Sequence, residues 1–173
     1  SSHLKSWPLT NYIDLINQIS EEDDYNFIIF NKNIDSVIRN KILKETNDPA
    51  VVNFVSNLHL RKVAALLNKC DAYVGNDSGL MHMAAAVKTP LVAVFGPTDP
   101  NFYLPRNAFS AAVKTSIKCS NVKKASFGHP CCVEAGQCLT QKNCIQNISF
   151  TKVADLLRQL IHSTVVNHKN KLI

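Results

Sequence analysis

Polar and apolar positions along this chain switch between a helical and an extended period. After Trp7-Pro8, the side chains of Tyr12, Ile13, Ile16 and Ile19 share one helical face, with Thr10 as the expected cap and the acidic run 21–24 as the stop. Residues 27–30 (FIIF) are wholly apolar, the pattern of a short strand buried on both faces of a parallel sheet. Asp35 can cap a second helix carrying Val37, Ile38 and Ile42; Asn47-Asp48-Pro49 reads as a turn and 51–55 as a strand. A helix over 60–68 turns Val63, Leu66 and Leu67 inward. Then follow a strand at 72–74, a small-residue helix at 80–87, an apolar strand at 91–95 and a last strand at 111–113. The period fails over 114–148, which is rich in Lys, Cys, Ser and Asn. Ser149 then caps a closing helix with Val153, Leu156, Leu157, Leu160 and Ile161 on one side, and the polar tail after Val166 is expected to fray.

This alternation predicts an α/β fold: a Rossmann-like parallel sheet with flanking helices and right-handed crossovers. A chain of 173 residues holds one domain with a real core and not two. We assign 1–166 to that domain, with 114–148 as a Cys/Lys-rich irregular insertion and 167–173 as the tail. Hydrophobic residues make up 46% and charged residues 18%, an ordinary globular balance. No apolar run is long enough to span a membrane, and the first residues lack the pattern of a signal peptide. They already read as part of a fold, as though the chain begins inside a domain. The net charge of +6 suits anionic partners such as phosphates or an acidic membrane surface, and equally a solvated lysine-rich face. Nucleic acid is not expected, because no helix joins clustered Arg to aromatics.

The run 73–100, YVGNDSGLMHMAAAVKTPLVAVFGPTDP, concentrates the chemistry. It reads as strand, acidic turn, helix, strand and a Gly-Pro loop, which sets a helix N-terminus just past a strand end. That is where α/β sheets bind phosphorylated ligands. Asp77 and Ser78 are both good N-cap residues, and Gly79 lets a ligand approach the backbone. The free amides near Leu80 can receive a phosphate, aided by the partial positive charge of the helix end. His82 lies one turn beyond Ser78 and can point at the same ligand. The bland alternative stands beside this: caps and a tight turn that any α/β protein needs, and a packing histidine. The loop 96–100 is likewise either a rim of the same cleft or a rigid turn.

The same run resembles the signature of the heptosyltransferases, the ADP-heptose:lipopolysaccharide glycosyltransferases of glycosyltransferase family 9. KSWPLTNYIDLI (5–16) is similar to the family's K-x-W-P segment, LHLRKVAALLNKCDAYVGNDSG (58–79) to the stretch leading into the signature, and CLTQKNCIQNISFTKVADLL (138–157) to its C-terminal close. The resemblance spans most of 3–161. It implies the C-terminal, nucleotide-sugar half of a GT-B enzyme, lacking its first strand and the N-terminal acceptor domain with the catalytic base. Asp77, Ser78, Gly79 and Leu80 would then line the donor diphosphate with His82 beside them, and Lys5 would meet the phosphates or the acceptor's anionic groups. Ser1 or Ser2 would stand where the family has a hydroxyl, and Asp35 where it has a ribose-binding acid. The implied reaction is an inverting, metal-independent transfer of heptose from ADP-heptose to a phosphorylated lipopolysaccharide core, at the cytoplasmic face of the inner membrane, with no cofactor. Two alternatives stay open: another GT-B nucleotide-sugar enzyme with a different donor, and a non-catalytic nucleotide-binding module.

Five cysteines, Cys119, Cys131, Cys132, Cys138 and Cys144, crowd the irregular segment, and Cys70 stands apart. Their spacing is not that of a zinc ribbon. Reduced thiols, a metal site built from Cys119, Cys131, Cys138 and Cys144, and disulfides all remain open on spacing alone.

Overall fold

Among the described residues, five short strands follow one another in chain order with helices between them, each paired parallel to its neighbour within a set. A computed structural model describes residues 3–31, 35–107, 109–117, 132, 137–138 and 143–169, with side chains over 4–163 of these. The elements are α1 (Leu9–Ser20), β1 (Phe27–Phe30), α2 (Ser36–Glu45), β2 (Val52–Val55), α3 (Leu60–Leu67), β3 (Tyr73–Asn76), α4 (Gly79–Ala86), β4 (Leu91–Phe95), α5 (Pro100–Tyr103), β5 (Ser110–Lys114) and α6 (Phe150–Lys169). Short 3-10 turns cover His3–Lys5, Pro49–Val51 and Cys144–Asn147.

Among the described residues the strands form two hydrogen-bonded sets rather than one continuous sheet, β1–β2 and β3–β4–β5. In register, Phe27 faces Val52, Tyr73 faces Leu91 and Leu91 faces Ser110. β1 and β3 are not paired with each other, although Phe27 of β1 and Val74 of β3 pack against the same apolar cluster. Laid on the doubly wound order 3-2-1-4-5-6, β2 and β1 take places 3 and 2 and β3, β4 and β5 take places 4, 5 and 6.

β4 is the axis of the core, and all five of its residues are 0% exposed. Its side chains alternate, as a strand requires. Leu91, Ala93 and Phe95 pack with Val63, Leu67, Met81 and Ala84 of α3 and α4. Val92 and Val94 pack on the other face with Val153, Ala154 and Leu157 of α6 and with Trp7. Helix α1 splits its apolar stripe: Leu15 and Ile19 join the α6 side, while Ile13 and Ile16 meet Ile42 and Val52 beside β1–β2.

Several expectations are corrected. The N-cap of α1 is Pro8, with Thr10 already inside the helix, because a proline pre-sets the backbone at a helix start. β1 is half-buried at all four positions and not enclosed on both faces. Leu66 is only half-buried, and Val37 is 74% exposed. The segment 114–148 is not irregular throughout: the turn Cys144–Asn147 is ordered by Ile145 and Ile148, each 3% exposed in the main core. Helix α6 continues through Lys169, beyond the fraying point expected at Val166. Asp35 and Ser149 cap as expected, accepting hydrogen bonds from the Ile38 amide at 2.7 Å and the Thr151 amide at 3.2 Å.

Candidate functional site

β3 ends at Asn76, the chain turns through Asp77 and Ser78, and α4 starts at Gly79. The turn therefore lies at the carboxyl end of a parallel strand, outside the sheet. The segment before α1 is tied to this place from far away in sequence. The Trp7 amide donates to Asn76 Oδ1 at 3.1 Å, and the Tyr12 hydroxyl donates to the same oxygen at 3.2 Å. The Trp7 indole N–H donates to the Ile148 carbonyl at 2.9 Å, and its ring meets Tyr12 edge-on at 4.8 Å. These contacts fix the neighbouring Lys5.

Lys5 Nζ lies 2.7 Å from Asp77 Oδ2, and the two side chains are 19% and 7% exposed. So enclosed an ion pair is costly to break by removing one partner. The Lys5 ammonium also sits 5.7 Å from the centre of the Tyr103 ring, within cation–π range. Lys5 thus bridges the β3–α4 turn and α5, which follows the loop after β4. In that loop Gly96 is needed for close approach, since a Cβ there would meet Ile145 Cβ at 2.6 Å. Asp99 caps α5 through the Asn101 amide and pairs with Lys114 at 3.2 Å. The Asn101 amide first, and Lys114 as well, hold the Asp99 carboxyl below the usual carboxylate range. Thr98 is 1% exposed, and its hydroxyl has no partner among the described residues.

Gly79 differs from Gly96. A Cβ built at Gly79 meets nothing within 4 Å, and its backbone lies outside the left-handed region. Neither packing nor conformation requires a glycine there, and helix propensity disfavours it. The space it leaves open lies against the first amides of α4. Ser78 is half-buried at the head of this helix, Leu80 packs on the α3–α4 core, and His82 is exposed on the first turn.

The structure therefore brings Lys5, Asp77, Ser78, Gly79, Leu80 and His82 to one end of β3. Spacing alone did not reveal Asn76, which receives both Trp7 and Tyr12, nor Tyr73 and Tyr103; their contacts are long-range and leave no local pattern. Asp35 is engaged as the cap of α2. Ser1 and Ser2 lie outside the described residues, as do Cys119 and Cys131; Cys138 and Cys144 are half-buried. The Cys70 thiol donates to the Leu66 carbonyl at 3.3 Å, and burial pushes it up from its ordinary value. Among the described residues no three His, Cys, Asp or Glu side chains gather as a metal site would need.

A parallel α/β domain with helices following its strands defines the Rossmann-like class. Within that class, the profile of glycosyltransferase family 9 (heptosyltransferase) matches residues 1–131, and the chain belongs to this family. It is 33% identical over 123 residues to lipopolysaccharide heptosyltransferase 2 of Salmonella typhimurium (strain LT2), covering 69% of this chain and 35% of that protein. It is 36% identical over 104 residues to lipooligosaccharide heptosyltransferase 2 of Haemophilus influenzae, covering 58% and 30%. The fold matches that of E. coli ADP-heptose LPS heptosyltransferase II with a TM-score of 0.72 and 27% identity, over 93% of this chain and 43% of that one. A second E. coli structure, heptosyltransferase WaaC with ADP, aligns at a TM-score of 0.64 and 18% identity, a likeness of fold. The chain spans about a third of the length of these curated relatives. Among the described residues no helix is long and apolar enough to cross a membrane.

Proposed function

We propose that this chain is the donor-binding half of a heptosyltransferase, holding ADP-heptose while the heptose moves to the lipopolysaccharide inner core. The observation that carries this reading is the meeting of Lys5 with the Asp77–Gly79 turn at the open start of α4, in a chain of this family. The acceptor hydroxyl attacks the anomeric carbon from the face opposite the diphosphate, the bond to ADP breaks, and the configuration inverts. Negative charge grows on the departing diphosphate. The amides of α4 and the Lys5 ammonium are fixed donors for that charge and do the work a metal does elsewhere. Asp77 takes one of the three N–H donors of Lys5 and holds the ammonium in place. It acts as the lysine's anchor rather than as a phosphate ligand, which its own charge would repel. His82, exposed on the first turn, contacts the same phosphates.

The base and the acceptor platform come from outside residues 1–173, in an N-terminal domain facing this one. The lack of pairing between β1 and β3 among the described residues supports a further strand of the same polypeptide between them. The charge of +6 suits a phosphorylated glycolipid acceptor and a peripheral position at the cytoplasmic face of the inner membrane. Titration of the chain with ADP, UDP and GDP by calorimetry tests the donor. ADP should bind best, and Ser78→Ala and His82→Ala should each weaken it about tenfold. Preference for UDP would overturn the ADP-heptose assignment. Unchanged binding in both variants would overturn the site. Incubated with ADP-heptose and acceptor, residues 1–173 alone should give no transfer.

A further inference from the structure

Two aromatic residues stand side by side in α5 and are placed differently. Phe102 is 72% exposed, whereas Tyr103 is half-buried and packs against the cluster formed by α3, α4 and β4. A helix of four residues has little stability of its own, so its ends must fix it. At the front, Asp99 accepts from the Asn101 amide at 3.1 Å and pairs with Lys114 of β5 at 3.2 Å. At the back, the Leu104 amide donates to the Pro100 carbonyl at 2.9 Å, and Leu104 packs against the same cluster as Tyr103. The Tyr103 ring is therefore carried on a fixed mount.

The Lys5 ammonium lies over that ring, 5.7 Å from its centre, while it bonds Asp77 Oδ2 at 2.7 Å. The backbone behind it is set by Trp7, whose amide donates to Asn76 Oδ1. A lysine stem has many rotamers, so one ion pair alone would leave the head free to swing about Asp77. The ring removes that freedom in a particular way. A second carboxylate in its place would also hold the ammonium, but would cancel its attraction for an anion. A ring attracts a cation through its quadrupole and carries no net charge. Asp77 occupies one of the three N–H donors of Lys5, and the charge is left for a ligand.

We propose that Tyr103 is a positioning residue for Lys5: its ring face holds the ammonium against Asp77 and keeps that charge directed at the donor diphosphate. This rests on the donor-site reading above. Tyr103 acts through Lys5 and needs no contact with the substrate. The Asp99–Lys114 pair belongs to the same arrangement, because it fixes the helix that carries the ring.

The test uses Tyr103→Phe, which keeps the ring face, and Tyr103→Leu, which removes it, read in two ways. The first needs no ligand. In the proton–carbon spectrum, the Lys5 ε-methylene signal, identified by its loss in Lys5→Met, should lie upfield of the other lysines because of the ring current. It should stay there in Tyr103→Phe and join the others in Tyr103→Leu. The second is ADP affinity by calorimetry, with adenosine as the control lacking phosphate. Tyr103→Leu should weaken ADP about threefold to fivefold and leave adenosine unchanged, while Tyr103→Phe should stay within about twofold of the unaltered chain. Made on Lys5→Met, the Leu change should have no further effect, since no ammonium remains to be held. A ring that only supports the fold would weaken ADP equally in both backgrounds, which would overturn the proposal. Equal losses in the Phe and Leu variants, or a Lys5 signal unmoved by Tyr103→Leu, would overturn it as well. Failure of the unaltered chain to bind ADP would remove the donor-site reading and this use of the lysine with it, while the Lys5 signal still judges the Lys5–Tyr103 contact. A melting curve for each variant shows that it is folded.

Discussion

β4 and β1 are built from much the same apolar residues, LVAVF and FIIF, and live in different surroundings. β4 is paired on both sides, covered by α4 on one face and α6 on the other, and excluded from water at every position. β1 is paired only with β2, and each of its residues keeps some exposure. Apolar composition decides that a strand seeks cover. How much cover it finds depends on what lies along its second edge. Among the described residues no strand pairs with that edge of β1.

Paired truncations would break this comparison most forcefully. Phe95→Ala should cost about 3–5 kcal/mol in denaturant unfolding, as deletion of a fully enclosed aromatic does. Phe27→Ala, at a half-buried position, should cost about 1–2 kcal/mol. Equal costs would show that β1 is as enclosed as β4. In a longer polypeptide with a strand paired to the second edge of β1, the Phe27 cost should rise toward that of Phe95.

High pH gives the next effect, confined to the β3 side. Burial pushes the Tyr73 phenol up to about 12. Burial raises Tyr12 too. A group whose folded value is raised lends stability that is complete below its unfolded value, near 10, and is lost as pH rises through the folded one. Stability should therefore fall between about pH 10 and 12, by up to about 3 kcal/mol for Tyr73 alone. Tyrosinate absorbance and circular dichroism, followed together, check this. Tyrosinate forming well before structure is lost would contradict it.

The smallest effect concerns Arg158 of α6, which pairs with the turn after α1 and within its own helix. Arg158 bonds to Glu22 and to Asp155, the latter at 2.7 Å, and all three side chains are partly exposed. The Arg158 hydrogen bond holds Glu22 below the usual carboxylate range. Arg158→Ala should cost less than about 1 kcal/mol, and the cost should shrink in high salt. A larger, salt-insensitive loss would mean that the arginine stem packs as well as pairs.

What could be read from the sequence followed the range of the interaction. The alternation of Leu91 to Phe95, the Asp35 and Ser149 caps and the stripe of α6 are local, so periodicity and cap chemistry reveal them. The position of the Asp77–Gly79 turn at a strand end was legible for the same reason. The Lys5–Asp77 pair joins residues 72 positions apart, and Asn76 gathers Trp7 and Tyr12 from 69 and 64 positions away; no spacing rule reaches that far. Ile145 sits in a Cys-rich stretch without periodicity, so its place under Gly96 appears only in three dimensions. Ser78 was legible as a cap by type, yet its side chain makes no capping bond to α4, which only the three-dimensional arrangement shows.

The packing of Ile145, Ile148, Val153 and Leu157 against Val92 and Val94 has a consequence for synthesis. On the ribosome β4 emerges well before the residues that cover one of its faces. Until α6 has left the exit tunnel, the most deeply buried strand of the chain is covered on that side only by Trp7 and α1, a state that invites chaperones and proteases. A transcript truncated before Phe150 would yield a nascent chain that keeps the whole β3–α4 turn and is still cleared by quality control.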